Sequence, residues 1–521
     1  MQGKEQPLKQ RTGENRSIFL ALEELSKSDI YPFHMPGHKR HMKGHLLEQA
    51  YKMDITEIEG FDNLHQPQGL ILDAMTRARK LYGTKETFFL INGSTAGILA
   101  AVHACVPYGG KIIVSRNSHQ SVYNAISLLG LDAIYLYPTQ ISGWDMAAGI
   151  STAEVEEVIK KNPDAKVVLI TSPTYEGFTS PIQEIANLAH EAGIPLIVDE
   201  AHGAHFPFSD EFPESSISQG ADLVIHSLHK TMPAFTQTAL LHLQGDLVQL
   251  REVQRYLSVF QSSSPSYLLM GGIDYCLRLV EEEQDRLWRE ILTRIEAFSE
   301  KMQKLKYIRV WSGRKANEKV EKDPLKLILK PVSSYKDEKP YTAAELYREL
   351  LRKYRLQMEM VTSAFVLGII TCMDDDAGLS RLEKALAEID KSLRPFPQKV
   401  SEKKNPRGKA DDPVKEAAEW ADADKKEHPQ QLVNLTAEPI GEAIKKEIEW
   451  IPVNLSVGRE SADYINLYPP GIPLIVPGEV ISQDLVDTLL AYQDQDLPLQ
   501  GLKDNRISVV KAKKTALESK S

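Results

Sequence analysis

The sequence predicts an α/β protein: a mostly parallel sheet covered on both faces by helices, then a smaller α+β unit and a C-terminal unit. Three observations carry this. From about residue 69, short Val-, Ile- and Leu-rich runs recur without polar alternation, as strands buried on both faces require. Amphipathic segments of helical spacing lie between them. After about residue 300 the regular alternation gives way to a mixed pattern.

In chain order, "SIFLALEELSKS" has helical spacing and leads into the loop "YPFHMPGHKR". "LILDAMTRARKLYG" is a helix with its stop at Gly83. "TFFLIN" is a strand and "STAGILAAVHACV" a helix; "KIIVS" is a strand, "HQSVYNAISLLG" a helix and "AIYLY" a strand. "TAEVEEVIKK" is a helix, "KVVLIT" a strand, "IQEIANLAHEAG" a helix and "PLIVDE" a strand; "DLVIHS" and "TALLHL" close the series. Residues 273–308 have the pattern of one long helix. "LKLILK", "AAELYRELLRKY", "SAFVLGIIT" and "RLEKALAEIDKSL" then form the smaller unit. The expected division is an N-terminal arm and active-site segment over 1–68, a large domain over 69–300, a small α+β domain over 301–395, a charged linker over 396–431 and a C-terminal domain over 432–521. The linker is charged, contains Pro and has few aliphatic residues.

Bulk properties narrow the function. The 521 residues carry a net charge of −10, which argues against a nucleic-acid footprint and is compatible with a cationic substrate. Cys105, Cys276 and Cys372 are far apart and form no CxxC pair, so a reducing, cytoplasmic setting is expected, without disulfides or a thiolate metal site. The N-terminus has no apolar core of a secretory signal, and "SAFVLGIITCM" is too short to span a bilayer.

Chemistry-bearing residues fall at predicted strand ends, where open α/β sheets bind ligands. Gly93, Ser94 and Thr95 lie between a strand and a helix, a place suited to a phosphate or to plain helix capping by Ser94. Asp199 ends an apolar strand, either as a loop acid or as partner of a buried cation. His202 and His205 follow it, but their spacing is not that of a helical metal pair and no third ligand stands out, so no metal is expected. His119 opens a helix after "KIIVS", as an ordinary helix-start residue or a ring that stacks on a flat ligand. Lys230 ends "VIHSLHK", where a buried amine is costly unless it is there to react. An imine-forming lysine, a phosphate cradle, a stacking ring and an acid for a pyridine nitrogen together match pyridoxal 5′-phosphate (PLP).

These segments resemble a known family. "SLHKTMPAFTQTA", "FHMPGHKR", "EIEGFDNLHQPQG", "NGSTAG", "SRNSHQS", "VDEAHGAHF", "SSSPSY" and "YPPGIPLIVPGE" are similar, in order, to blocks of the bacterial ornithine/lysine/arginine decarboxylases, PLP enzymes of fold type I. The resemblance implies that Lys230 holds PLP covalently, Asp199 pairs with the ring nitrogen, His119 stacks on the ring and His202 lies close to it. It implies that Ser94, Thr95, Ser227 and His229, with Gly93 in the same turn, hold the phosphate. Ser263 would reach the phosphate of a neighbouring subunit, which makes the working unit at least a dimer. His38 and Lys39 would help close the entrance. With about 30 residues before "YPFHMPGHK", the chain resembles the short form without an N-terminal wing.

The implied activity is decarboxylation of a basic amino acid, with arginine slightly favoured by analogy and a polyamine precursor as product. Glu479 and Asp463 are candidate anchors for the substrate's cationic end, and each also reads as an ordinary surface or capping acid. Gln120 departs from the lysine that many relatives carry after the stacking histidine. Alternatives are an aminotransferase or lyase on the same fold, for which Arg459 or Arg381 would be needed against the α-carboxylate, or a non-catalytic PLP-binding protein.

Overall fold

The computed structural model describes residues 62–395 and 434–512, except 142–143, 145, 312–320, 333, 337–338, 469–470 and 496, together with the backbone of 31–33. The helix expected at 17–28, "PGHK" and the charged linker lie outside the described residues.

A short strand, β1 (Tyr31–Phe33), precedes the main unit. That unit then runs α1 (Leu70–Tyr82), β2 (Glu86–Leu90), α2 (Gly93–Cys105), β3 (Lys111–Ser115), α3 (Gln120–Leu129), β4 (Asp132–Leu136) and α4 (Thr152–Lys161). It continues β5 (Val167–Thr171), α5 (Ile182–Glu191), β6 (Leu196–Asp199), β7 (Leu223–His226), α6 (Leu228–Thr231) and β8 (Ala239–Leu243). These strands form one seven-stranded sheet in the order β2-β8-β7-β6-β5-β3-β4. The five strands from β7 to β4 pair in parallel, whereas β8 runs antiparallel to both neighbours. The expected mostly parallel sheet is therefore present. Its centre is as apolar as double coverage demands: Ile112, Ile113, Val167, Val168, Leu196, Ile197, Leu223 and Ile225 are all buried. The stop at Gly83 is a left-handed cap (φ +67°) whose N–H bonds back to the last turn of α1.

The sequence pattern missed α7 (Leu250–Phe260) and displaced α8, which runs Tyr267–Met302 rather than 273–308. Gly271 and Gly272 interrupt the helical signal at its start. Gly272 is there for close packing: a Cβ on it would lie 2.6 Å from the Phe235 ring, just downstream of Lys230. At the other end, residue 308 opens β9 (Ile308–Trp311), which pairs with β10 (Lys326–Pro331).

After α9 (Ala343–Tyr354) come β11 (Leu356–Met358), β12 (Met360–Val361), β13 (Val366–Ile369) and α10 (Asp376–Ser392). The second sheet has the order β9-β10-β13-β12, all antiparallel, and β1 pairs in parallel with β11. The start of α9 is fixed by a capping box between Thr342 and Glu345. Beyond residue 434, β-strands and the helix Gln483–Asp494 enclose a separate small core of Val453, Ile465, Ile475, Leu485, Leu489, Ile507 and Val509. Among the described residues no helix is long and apolar enough to cross a membrane, and no group of three or more His, Cys, Asp or Glu is placed to hold a metal ion.

Candidate active site

Because β5, β6 and β7 are parallel neighbours, their C-terminal ends fall on one edge of the sheet, which carries Thr171, Asp199 and Ser227. Asp199 is buried, and its Oδ1 accepts the Ala201 N–H at 3.2 Å. Burial raises its pKa, opposed by the charge of Lys230, the Ala201 N–H and His226. Lys230 lies on α6, a four-residue helix with Ser227 as its N-cap. Its Nζ is 3.0 Å from His202 Nε2. Burial depresses the pKa of the amine, with Asp199 and Glu359 pulling the other way. A lysine held in this way reaches its neutral, nucleophilic form at lower pH than one in water.

His119 serves as N-cap of α3: its Nδ1 accepts the Ser121 N–H at 3.2 Å and lies 2.9 Å from Ser121 Oγ. The helix-start role is therefore present, and the ring lies at the sheet edge. Burial first, then Lys230, pushes its pKa down to about 4, so the ring is neutral at pH 7. One side of it is closed by the C-terminal unit, where Gln120 N–H bonds the Gly471 carbonyl at 3.3 Å and Asn466 Nδ2 donates to Gln120 Oε1 at 3.3 Å.

A phosphate-bearing ring fits the remaining groups. Ser227 Oγ is fully buried and has no hydrogen-bond partner among the described residues. Ser94 does not cap α2; the N-cap is Asn92, whose side chain makes no capping bond, so Ser94 and Thr95 lie in an uncapped first turn. Gly93 adopts φ +75° there, a left-handed conformation that favours glycine. His229 Nδ1 lies 3.0 Å from the Thr238 carbonyl and must donate to it. Burial pushes His229 down to about 4, and an anion at Nε2 would reverse that shift.

Three residues that the sequence pattern did not single out complete the site. Lys326, at the start of β10, is fully buried with its Nζ 2.8 Å from His202 Nδ1. The Tyr175 ring stands edge-on to His202 with centroids 4.5 Å apart, and its hydroxyl donates to buried Glu359. A signal for Lys326 existed: "KLILK" puts a lysine at the mouth of an apolar strand, the same anomaly that marks Lys230. Tyr175 and Glu359 carry no local signal, because their place depends on packing between the two sheets.

The family description "Orn/Lys/Arg decarboxylase, major domain" matches residues 17–349, and "Orn/Lys/Arg decarboxylase, C-terminal domain" matches 422–514. The chain belongs to the Orn/Lys/Arg decarboxylase family. It is 30% identical over 504 residues to an arginine decarboxylase of Bacillus anthracis, covering 95% of this chain and 96% of that protein. It is 29% identical over 507 residues to an arginine decarboxylase of Bacillus subtilis (strain 168), covering 95% and 97%. Its fold is shared with the Francisella novicida lysine decarboxylase LdcF at a TM-score of 0.70 and 18% identity, covering 94% of this chain and 80% of that one.

Against this family background, the other expected residues separate. His38 and Lys39 lie outside the described residues. Ser263 is exposed, next to Ser262, whose N–H donates to Asn92 Oδ1 at 3.2 Å, so its loop borders the α2 turn of its own chain. Asp463 is exposed, and its Oδ1 accepts the N–H of the next residue, Tyr464, at 2.8 Å, as an ordinary surface acid. Glu479 requires a correction as a substrate anchor. Its buried carboxylate is 3.0 Å from Arg116 Nη2 and accepts from Asn434 Nδ2 and the Val476 N–H, each at 3.0 Å. Its charge is thus spent on joining the C-terminal unit to the large sheet, where Arg116 also donates to the Pro473 carbonyl at 2.8 Å. Removing one partner of a buried pair strands the other. R116M is expected to destabilise the protein by about 3–5 kcal/mol in denaturant melts, and R116M/E479L to recover most of that loss.

Proposed function

We propose that this chain is a PLP-dependent decarboxylase of a basic amino acid, with arginine the favoured substrate and an amine precursor of polyamines the product. The observation that carries the reading is Lys230: a desolvated amine at a parallel-sheet edge, facing a buried acid and two neutral imidazoles.

Lys230 would hold the cofactor covalently, and Asp199 would keep a proton on its ring nitrogen. His119 would lie against the ring face. Gly93, Ser94, Thr95, Ser227 and His229 would hold the phosphate, with Ser263 serving the partner subunit of a homodimer or a dimer-based oligomer. Bound PLP supplies an electron sink for the bond that breaks as CO2 leaves. His202, one hydrogen bond from Lys230, would move a proton at Nζ or at the substrate Cα. Glu359, whose charge reaches Lys230, suits the substrate's cationic end better than Glu479 or Asp463. Arginine is favoured because the Bacillus arginine decarboxylases match over nearly the whole chain.

The expected domain limits and a cytoplasmic location belong to the same reading. An aminotransferase is disfavoured, since Arg459 is held by Glu449 at 2.6 Å and Arg381 donates to the carbonyls of Tyr354 and Arg355 at 3.3 Å.

Incubation with PLP and arginine, lysine or ornithine tests the proposal. Stoichiometric CO2 and amine, fastest from arginine, is the expected result. Keto acid would point to transamination, and a bound chromophore without turnover to a binding protein.

A further inference from the structure

We propose that Lys326 is a positioning residue for Lys230: through His202 it fixes the imidazole proton on Nε2 and so holds the Lys230 amine as a hydrogen-bond acceptor, unprotonated and ready to react. This deepens the proposed function and rests on Lys230 being the reactive amine.

His202 stands between two lysines, with Nδ1 2.8 Å from Lys326 Nζ and Nε2 3.0 Å from Lys230 Nζ. A neutral imidazole has one donor and one acceptor nitrogen. It cannot accept from two ammonium groups, so at least one lysine must be neutral. His202 does not resolve the conflict by protonating, because burial and both lysines hold its pKa well below the histidine range.

The surroundings of Lys326 suit a cation. Lys326 Nζ faces the Tyr175 ring at 5.9 Å from its centroid. It also lies in the field of Asp323, whose carboxyl is kept below its usual range by His205 and Lys326 despite burial, and of Glu176. Lys322 is the opposing cation there, with burial pushing its own pKa down to about 7. Burial does not choose between the two amines, since Lys326 is fully buried and Lys230 half-buried. Lys230, balanced by Asp199 and Glu359, is the amine that reacts in the proposed function and so has to be neutral. The proton is therefore assigned to Lys326, Nδ1 of His202 accepts its hydrogen bond, and Nε2–H points at Lys230.

The position of Lys326 is built rather than incidental. Gly177, at φ +99°, lies against it, and a Cβ there would come within 2.7 Å of Lys326 Cγ. The same turn presents Tyr175 to His202.

Competitive acetylation of Lys230 as a function of pH, read by peptide mass spectrometry on the full chain freed of cofactor, tests the bridge without relying on turnover. Removing the Lys326 charge and the fixed Nε2–H donor should raise the labelling midpoint of Lys230 by about one pH unit in K326M, while K326R stays close to wild type. An unchanged midpoint in a K326M protein that melts cooperatively would overturn the proposal, since a purely structural lysine would alter melting alone. Should K326M not fold, H202L with Lys326 intact must also raise the midpoint, and an unchanged value there is equally fatal. Neutron diffraction locates the proton independently: deuterium on His202 Nε2 supports the bridge, and deuterium on Nδ1 overturns it. Borohydride trapping of PLP on the wild-type chain, run in parallel, reports separately on the cofactor reading.

Discussion

Replacing Lys230 with alanine is expected to abolish decarboxylation, lowering kcat by about 10⁴-fold or more, equivalent to ~5 kcal/mol of barrier. The size follows from the lack of a substitute. The nearest other described amine at the site, Lys326, is fully buried on the far side of His202 and cannot reach the edge where Lys230 sits. Arginine is no replacement, because a guanidinium does not give up its proton, so K230R should be as inactive as K230A. Stability should not fall with activity: among the described residues Lys230 makes one side-chain hydrogen bond, and its charge is disfavoured by burial. Melting of K230A at or above the wild-type temperature, with turnover lost, is the expected pair of results from calorimetry and CO2 assay.

The second large effect is at Asp199. D199N keeps the shape of the side chain and can still accept the Ala201 N–H, but removes the only carboxylate that ends a central strand at this edge among the described residues. In the role proposed for Asp199, loss of that charge would leave the cofactor's ring nitrogen without a partner to hold its proton, and kcat should fall on the order of 10³-fold, about 4 kcal/mol. The substitution also removes a neighbour that favours the charged form of Lys230, so the Lys230 amine should titrate at lower pH in D199N. Steady-state kinetics and Lys230 labelling of the same preparation check both expectations.

How far the sequence could be read depended on the range of the physics involved. The large sheet was legible because each strand is buried on both faces and says so locally, as in "KIIVS", which is β3 to the residue. The long helix was displaced because its second turn carries Gly271 and Gly272, and the reason for Gly272 lies in the packing of Phe235. At the site, Lys230, Asp199 and His119 each stood out as a polar group at the end or start of an apolar element, Ser227 came from the resemblance alone, and the fold brings them to one edge. Tyr175 and Glu359 come from a turn and a strand junction of two different sheets, so no local pattern connects them. Glu479 looked like a site acid from its motif, whereas its role is set by Arg116, far away in the sequence and 3.0 Å away in space.

Every catalytic role proposed for this chain depends on one amine, at position 230, carrying the cofactor. Borohydride reduction of the PLP-loaded protein followed by peptide mapping reads that attachment directly. A single pyridoxyl adduct on Lys230, formed in the wild type and absent in K230A, is expected. An adduct on any other lysine, or none in a protein that still releases CO2 from arginine, would show that Lys230 is not the attachment point.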